Sequence, residues 1–551
     1  MTVSPQNMIS PRLNPLLLVA ATIAALVGLP VASVLTHIFS GGTGATWSHL
    51  AATVLPEYVT NTLLLCLAVG IGVIVIGVAT AWLTAMHDFP GRRIFQWALV
   101  LPMAMPAYVL AYVYTDFLQF VGPLQSFLRA SFGWSKADYW FPEIRSLGGA
   151  VTMFVFVLYP YVYLITRTAF VERASGMLEA SRTLGLGPWQ SFFRVSLPLA
   201  RPAVVAGTTL SLMETLADYG TVSYFGVQTF TTGIYRAWFS LGDRIAAAQL
   251  AAALLAFVIL LLLIEWRSRG RSRFHNTSGR QRPLAGRQLS GWRGALATAV
   301  CALPLAIGFV LPAYLLLRLT MTDSETPFAA HFATLARNSF LLAGLTAVIA
   351  VALAVLLAYA ARLSRGLLAA ALNRLVSLGY AVPGSVIAVG VLIPVTRLDH
   401  WLSGQWQYWF GNNPGLLLTG GIAALVYAYL VRFLAVALQS VGTSLAKITA
   451  SMDDAARSLG LAQGATLRRV HLPILRGSLF TASLLVFVDV MKELPATLVM
   501  RPFDFDTLAT QAYTLASDER LAEAASVSLA IVVVGLLPLI ILSRRMSRTS
   551  R

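Results

Sequence analysis

The chain has 551 residues, 57% of them hydrophobic and only 11% charged, where an ordinary soluble domain carries about 25% charged residues. Apolar runs of about 20 residues recur from end to end, which excludes a soluble enzyme and makes the bilayer the solvent. The formal charge is +17, yet Lys136, Lys447 and Lys492 are the only lysines, so Arg carries nearly all of it. In so apolar a chain this excess reads as positive-inside anchoring against membrane lipid, not as nucleic-acid binding.

In chain order the apolar runs predict spans near 15–39, 60–86, 94–118, 148–170, 203–224 and 244–266, then 294–320, 338–361, 367–396, 415–438, 478–500 and 519–543. The fold class is therefore an all-α polytopic membrane protein of about 12 transmembrane helices. The first run is too long for the apolar region of a signal peptide and reads as a span. Cys66 and Cys301 lie in apolar runs without metal-ligand spacing. Arg92 and Arg93, Arg362 and Arg365, the stretch 267–293, and the tail with Arg544, Arg545, Arg548 and Arg551 all fall on one side of this count. By the positive-inside rule that side is cytoplasmic, with both termini. Loops on the other side carry Trp134, Tyr139, Trp140 and Phe141, or Trp401, Trp406, Tyr408, Trp409 and Phe410, as expected of the outer headgroup level. Pro102, Pro106, Pro383 and Pro394 interrupt the third and ninth spans, either as hinges or as ordinary membrane prolines.

Residues 267–293 hold eight Arg and no acid, the composition of a solvated linker beside anionic lipid. They divide the chain into halves 1–266 and 294–551, each with six predicted spans, and the halves repeat each other. Glu179-Ala180-Ser181, Gly185 and Leu197-Pro198 return as Asp454-Ala455-Ala456, Gly460 and Leu472-Pro473 at a constant offset of 275. Glu214 then falls on Asp489 and Asp218 on Glu493, while Asn61-Thr62 and Pro106 fall on Asn338-Ser339 and Pro383 at an offset of 277. Both copies keep the same sidedness, so the duplication is parallel and the halves are expected to be pseudosymmetric about the membrane normal. Each repeated loop reads as a helix stopped by glycine in a left-handed cap, Gly185 or Gly460, followed by a second short helix that Pro188 opens in the first copy. Leu-Pro then steers the chain back into the membrane.

This loop resembles the coupling loop of permeases of binding-protein-dependent ABC importers, and the resemblance covers nearly the whole chain as two fused copies. It implies that Glu179, Ala180, Gly185, Leu197 and Pro198, with Asp454, Ala455, Gly460, Leu472 and Pro473, fit clefts on two copies of a cytoplasmic ABC ATPase. It also implies a periplasmic substrate-binding protein as partner and the bacterial inner membrane as location. The second copy departs from the pattern with Asp454 in place of Glu, and the first with Ser181 in place of Ala. The stretches from Glu214 to Gly226 and from Met491 to Arg501-Pro502 are similar to ferric iron permeases. Fused permeases for thiamine, phosphonates and other oxyanions share the architecture. The chain has no GxxxxGK[ST] phosphate loop, so ATP and its Mg²⁺ are expected in a partner chain and no cofactor in this one. Without HExxH or GxSxG it offers no catalytic residues. An ion-coupled secondary transporter is the alternative from another class, and the duplicated loop speaks against it.

Glu214 and Asp218 lie four apart on the fifth predicted span, and Asp489 and Glu493 repeat the spacing on the eleventh. Lipid exposure of a carboxylate costs about 2.5 kcal/mol or more, so these acids must face protein or a watery path. One reading has the four converge on the translocation path as a transient metal site, since hard oxygen ligands suit a small, highly charged cation. The other has them pair, for example with Lys492, or cap a neighbouring helix. Tyr219 and Tyr224 either add phenolic oxygens there or anchor helix ends at the interface.

Overall fold

The computed structural model describes residues 15–41, 44–183, 185–269, 287–322, 328–364 and 366–549. Most of the linker, the extreme N-terminus and Arg551 lie outside them. The protein is an all-α polytopic membrane protein. Among the described residues its one extended pairing is a two-residue parallel bridge, His87–Asp88 with Arg287–Gln288. Eleven helices are long and apolar enough to cross a membrane, or 12 if the pair Arg92–Ala104 and Ala107–Phe132, bent by 90°, forms one broken span.

The bend has a local cause. Proline disfavours helical backbone in the residue before it, and Met105 ahead of Pro106 is extended at ψ 117°. The repeat does the same, with Val382 ahead of Pro383 at ψ 124°. The predicted ninth span 367–396 is accordingly two pieces, Leu367–Ser377 running into a tight turn and then Gly384–Phe410, with Pro394 inside the second without breaking it. The aromatic cluster from Trp401 to Phe410, expected in a loop, is the end of that helix, and its rings remain exposed. Asp399, fully buried, holds the chain beyond it by accepting hydrogen bonds from the Leu417, Leu418 and Thr419 amides and from the Thr419 hydroxyl.

Two compact units emerge, and they cut across the halves 1–266 and 294–551. One comprises residues 1–37 and 337–505, the other residues 38–336 and 506–551. In the first unit the helix Pro15–Thr36 packs on Leu367–Ser377 and Gly384–Phe410. Its carbonyl at Leu26 accepts from the Tyr427 hydroxyl at 2.6 Å, and Gly390 lets the Pro30 backbone come close. In the second unit Leu55–Met86, Leu147–Thr183 and Leu197–Ala217 pack together. A Cβ at Gly207 would meet Val162 Cα at 2.7 Å, so a small residue sets that approach. Lipid is as apolar as these side chains, so close backbone packing of this kind, not hydrophobic burial, drives association. The same unit takes in Leu311–Thr322 and Leu521–Thr549, which pack on each other.

Candidate functional site

Both repeated loops adopt the glycine-capped turn that the sequence predicts. In the first, the helix Leu147–Thr183 ends, Gly185 sits at φ +79°, and Pro188–Ser191 forms the next short helix. In the second, Ala450–Ser458 ends, Gly460 sits at φ +77°, and Gln463–Thr466 follows. Among the described residues beyond the chain neighbours, no heavy atom lies within 4 Å of where a Cβ would stand at either glycine. Backbone conformation alone therefore favours glycine there. At the second loop Gly460 N–H donates to Arg457 O and Leu461 N–H to Ala456 O, both at 3.0 Å, which satisfies carbonyls that a helix end leaves open.

Both copies then pass through one π-helical turn, Phe192–Ser196 and Leu467–His471, before Leu197-Pro198 and Leu472-Pro473 open the next membrane helix. The π turns obey the 275 offset, a regularity the sequence alone did not reveal. One expectation is corrected. The first loop's leading helix is no separate short piece but the end of the 37-residue helix Leu147–Thr183. Nothing like the interruption at 446–449, which isolates Ala450–Ser458 in the second copy, separates it from its span. Glu179 and Ala180 lie near its end with side chains outside the described part, as is Leu184. In the second loop Asp454 pairs with Arg457 at 2.9 Å on the surface, Ala455 is exposed, and Leu459 is 81% exposed. The first exposes Trp189 and Phe193, whose rings stack at 6.1 Å.

The intramembrane acids behave differently from the metal reading. Helix Leu197–Ala217 stops one residue before Asp218, whose backbone is extended at ψ 138°. Helix Leu472–Met491 stops two residues before Glu493. The shared helical face expected of Glu214 with Asp218, and of Asp489 with Glu493, therefore does not form. Each outer acid instead caps the helix that resumes the chain. Asp218 accepts from Thr221 N–H at 2.8 Å, Val222 N–H at 3.3 Å and the Thr221 hydroxyl at 3.1 Å. Glu493 accepts from Ala496 N–H at 3.0 Å, Thr497 N–H at 3.1 Å and the Thr497 hydroxyl at 2.8 Å. Helix N-termini carry free amides and positive potential, which is why a carboxylate settles there.

Glu493 also pairs with Arg432 at 3.3 Å, both side chains buried, a partner the sequence reading missed. Asp489 pairs with Lys492 at 3.1 Å, and Glu214 is half-buried within its helix. Among the described residues no three His, Cys, Asp or Glu side chains group to hold a metal, and of the acids Glu214, Asp218, Asp489 and Glu493 the two outer ones spend their carboxylates on helix caps. Beyond each cap a second short helix begins with a reciprocal threonine capping box, Thr229 with Thr232 and Thr507 with Thr510. The first is tied back by the Thr231 hydroxyl, which donates to Asp218 O at 2.9 Å. Tyr219 stacks on Tyr235 at 3.7 Å and Tyr224 lies under Arg145 at 5.2 Å. In the second unit a polar recess of about 640 Å³ is lined by Asp116, Arg145, Tyr224, Glu519, Arg520 and Glu523.

Residues 73–266 match the family model described as binding-protein-dependent transport system inner membrane component. The chain is 27% identical over 493 residues to the Fe(3+)-transport system permease protein FbpB 2 of Haemophilus influenzae, covering 89% of this chain and 90% of that one. It is 28% identical over 200 residues to the molybdenum transport system permease protein ModB of Escherichia coli, covering 35% of this chain and 84% of that protein. It is 31% identical over 193 residues to the sulfate transport system permease protein CysT of Escherichia coli, covering 34% of this chain and 67% of that protein. The duplicated glycine-capped loops, the all-helical membrane fold and these relatives agree: the chain belongs to the family of inner membrane components of binding-protein-dependent transport systems.

Proposed function

We propose that this chain is the transmembrane permease subunit of an ATP-driven ABC importer, with 1–266 and 294–551 as its two fused permease repeats joined by the basic linker 267–293. It takes ferric iron from a periplasmic binding protein and releases it to the cytoplasm by alternating access. Two copies of a cytoplasmic ATPase bind and hydrolyse ATP with its Mg²⁺ and dock on the loops around Gly185 and Gly460. The observation that carries the class is the pair of identically spaced left-handed turns, each followed by a π turn and a Leu-Pro re-entry. The cargo rests on length: the iron permease relative aligns along 89% of this chain, whereas the molybdenum and sulfate permeases align along about a third of it. Proteoliposomes holding the whole complex and its binding protein, offered labelled ferric iron, molybdate, sulfate, thiamine and phosphonate in turn, are expected to accumulate iron alone. Uptake of an oxyanion in place of iron refutes the cargo and leaves the class intact.

The sidedness belongs to the same reading. With an even number of spans in each repeat, the linker and both termini are cytoplasmic in the bacterial inner membrane. A thiol introduced by Ser278→Cys is expected to react with an impermeant maleimide only after the membrane is opened. Labelling from the periplasm of intact cells overturns the span count.

A further inference from the structure

The two coupling loops share a fold and differ in what holds them. In the second, Arg362 from the last turn of Phe328–Leu363 reaches the loop with its whole guanidinium. Its Nε donates to Asp453 Oδ2 at 2.9 Å, its Nη1 to Leu445 O at 3.0 Å and its Nη2 to Ile448 O at 2.9 Å. The other oxygen, Asp453 Oδ1, accepts from Nε2 of His471, a residue 1% exposed at the end of the π turn, at 2.7 Å. Tyr359 lies edge-on to the His471 ring at 5.6 Å, and its hydroxyl donates to Gln463 O at 2.7 Å. The Asp453 carboxylate thus joins the helix Ala450–Ser458 to the span Phe328–Leu363 on one side and to the start of Leu472–Met491 on the other. A planar guanidinium fork with fixed donors suits such a clamp better than a lysine would.

None of these groups recurs in the first copy. At the 275 offset Leu178 and Ser196 stand for Asp453 and His471, and at 277 Ala85 and Trp82 stand for Arg362 and Tyr359. Trp82 there packs its ring against Phe170 at 5.2 Å and Phe192 at 4.8 Å. Among the described residues the first loop is seated on aromatic rings and the second on a charge clamp.

We infer that Asp453 is a positioning residue for the second coupling loop alone, holding it in one piece with its neighbouring spans through Arg362 and His471. The consequence for ATP hydrolysis rests on the docking function proposed above; the clamp itself does not. In lipid nanodiscs without the ATPase, Asp453→Asn is expected to speed backbone amide exchange in residues 450–466 about tenfold, Asp453→Glu to restore most of the protection, and residues 186–196 to stay unchanged in both. Equal exchange in mutant and wild type, or a rise in both loops together, overturns the clamp. In the complex purified with its ATPase, Asp453→Asn is expected to lower ATP hydrolysis about tenfold while the ATPase still co-purifies, and Asp453→Glu to restore most of it. Unchanged hydrolysis in Asp453→Asn overturns the positioning role. If amide exchange responds as stated but wild-type chain retains no ATPase, the docking function fails and the clamp stands.

Discussion

Gly460→Val is expected to lower ATP hydrolysis by the assembled complex at least about tenfold, whereas Gly460→Asn is expected to leave it within about twofold. The difference comes from backbone conformation. Gly460 holds φ +77°, and the space around its absent side chain is open. Steric crowding between neighbours therefore plays no part. An L-residue in the left-handed region costs about 1–2 kcal/mol, most for a β-branched side chain, and Asn is among the few that visit it readily. Valine therefore pushes the turn out of the left-handed region, and the hydrogen bonds from Gly460 and Leu461 back to the helix end are lost. The exposed tip at Leu459, which immediately precedes the turn, swings with it. Gly185, at φ +79°, is expected to respond the same way. Hydrolysis measured beside thermal unfolding of each variant checks the idea. Wild-type hydrolysis in Gly460→Val sinks it, and equal damage from Asn and Val would move the cause from conformation to size.

These turns were legible in the sequence because they are local. A glycine in each copy, a proline three residues on in the first and a repeat 275 residues away fix the geometry within a few bonds. The breaks at Asp218 and Glu493 were harder to see, since apolar residues continue past both and hydropathy alone runs the helix on. The signals were there in Tyr219-Gly220-Thr221 and in Leu494-Pro495, where proline opens a fresh helix at its first turn. What no local pattern encodes is the grouping of the spans: Pro15–Thr36 belongs to the unit of residues 337–505, and the helices of 292–322 and 508–549 to the unit of residues 38–336. That grouping is set by packing between distant segments, through close approaches such as Gly390 with Pro30 and Gly535 with Ala104. Arg432 was overlooked for a related reason. It lies in an apolar run, 61 residues from the Glu493 that neutralises it.

That pair yields the sharpest separation between a carboxylate that handles cargo and one that holds the fold. Glu493 and Arg432 meet at 3.3 Å with side chains 2% and 9% exposed. A Cβ at Gly384 would stand 2.6 Å from the Glu493 carboxylate and 3.0 Å from the Arg432 guanidinium, so the start of Gly384–Phe410 closes over both. Removing one partner of a buried pair leaves an uncompensated charge and costs about 3–5 kcal/mol, whereas replacing both by neutral groups is often nearly neutral. Glu493→Gln keeps an oxygen for only one of the Ala496 and Thr497 amides, which now donate to separate carboxylate oxygens, and strips Arg432 of its counter-charge, so it is expected to destabilise the protein by about 3 kcal/mol. Arg432→Met combined with Glu493→Gln should recover most of that loss, a coupling that only groups in contact produce. Asp218, whose carboxylate is held by the Thr221 and Val222 amides and the Thr221 hydroxyl, is expected to lose only about 1 kcal/mol as Asn. Thermal unfolding of the four proteins in one detergent, beside iron uptake by each complex, reads both properties. A Glu493→Gln variant as stable as wild type but dead in uptake would return this acid to the translocation path; destabilisation that the double variant relieves, with uptake returning alongside it, fixes its role as the cap and lock of the helix break.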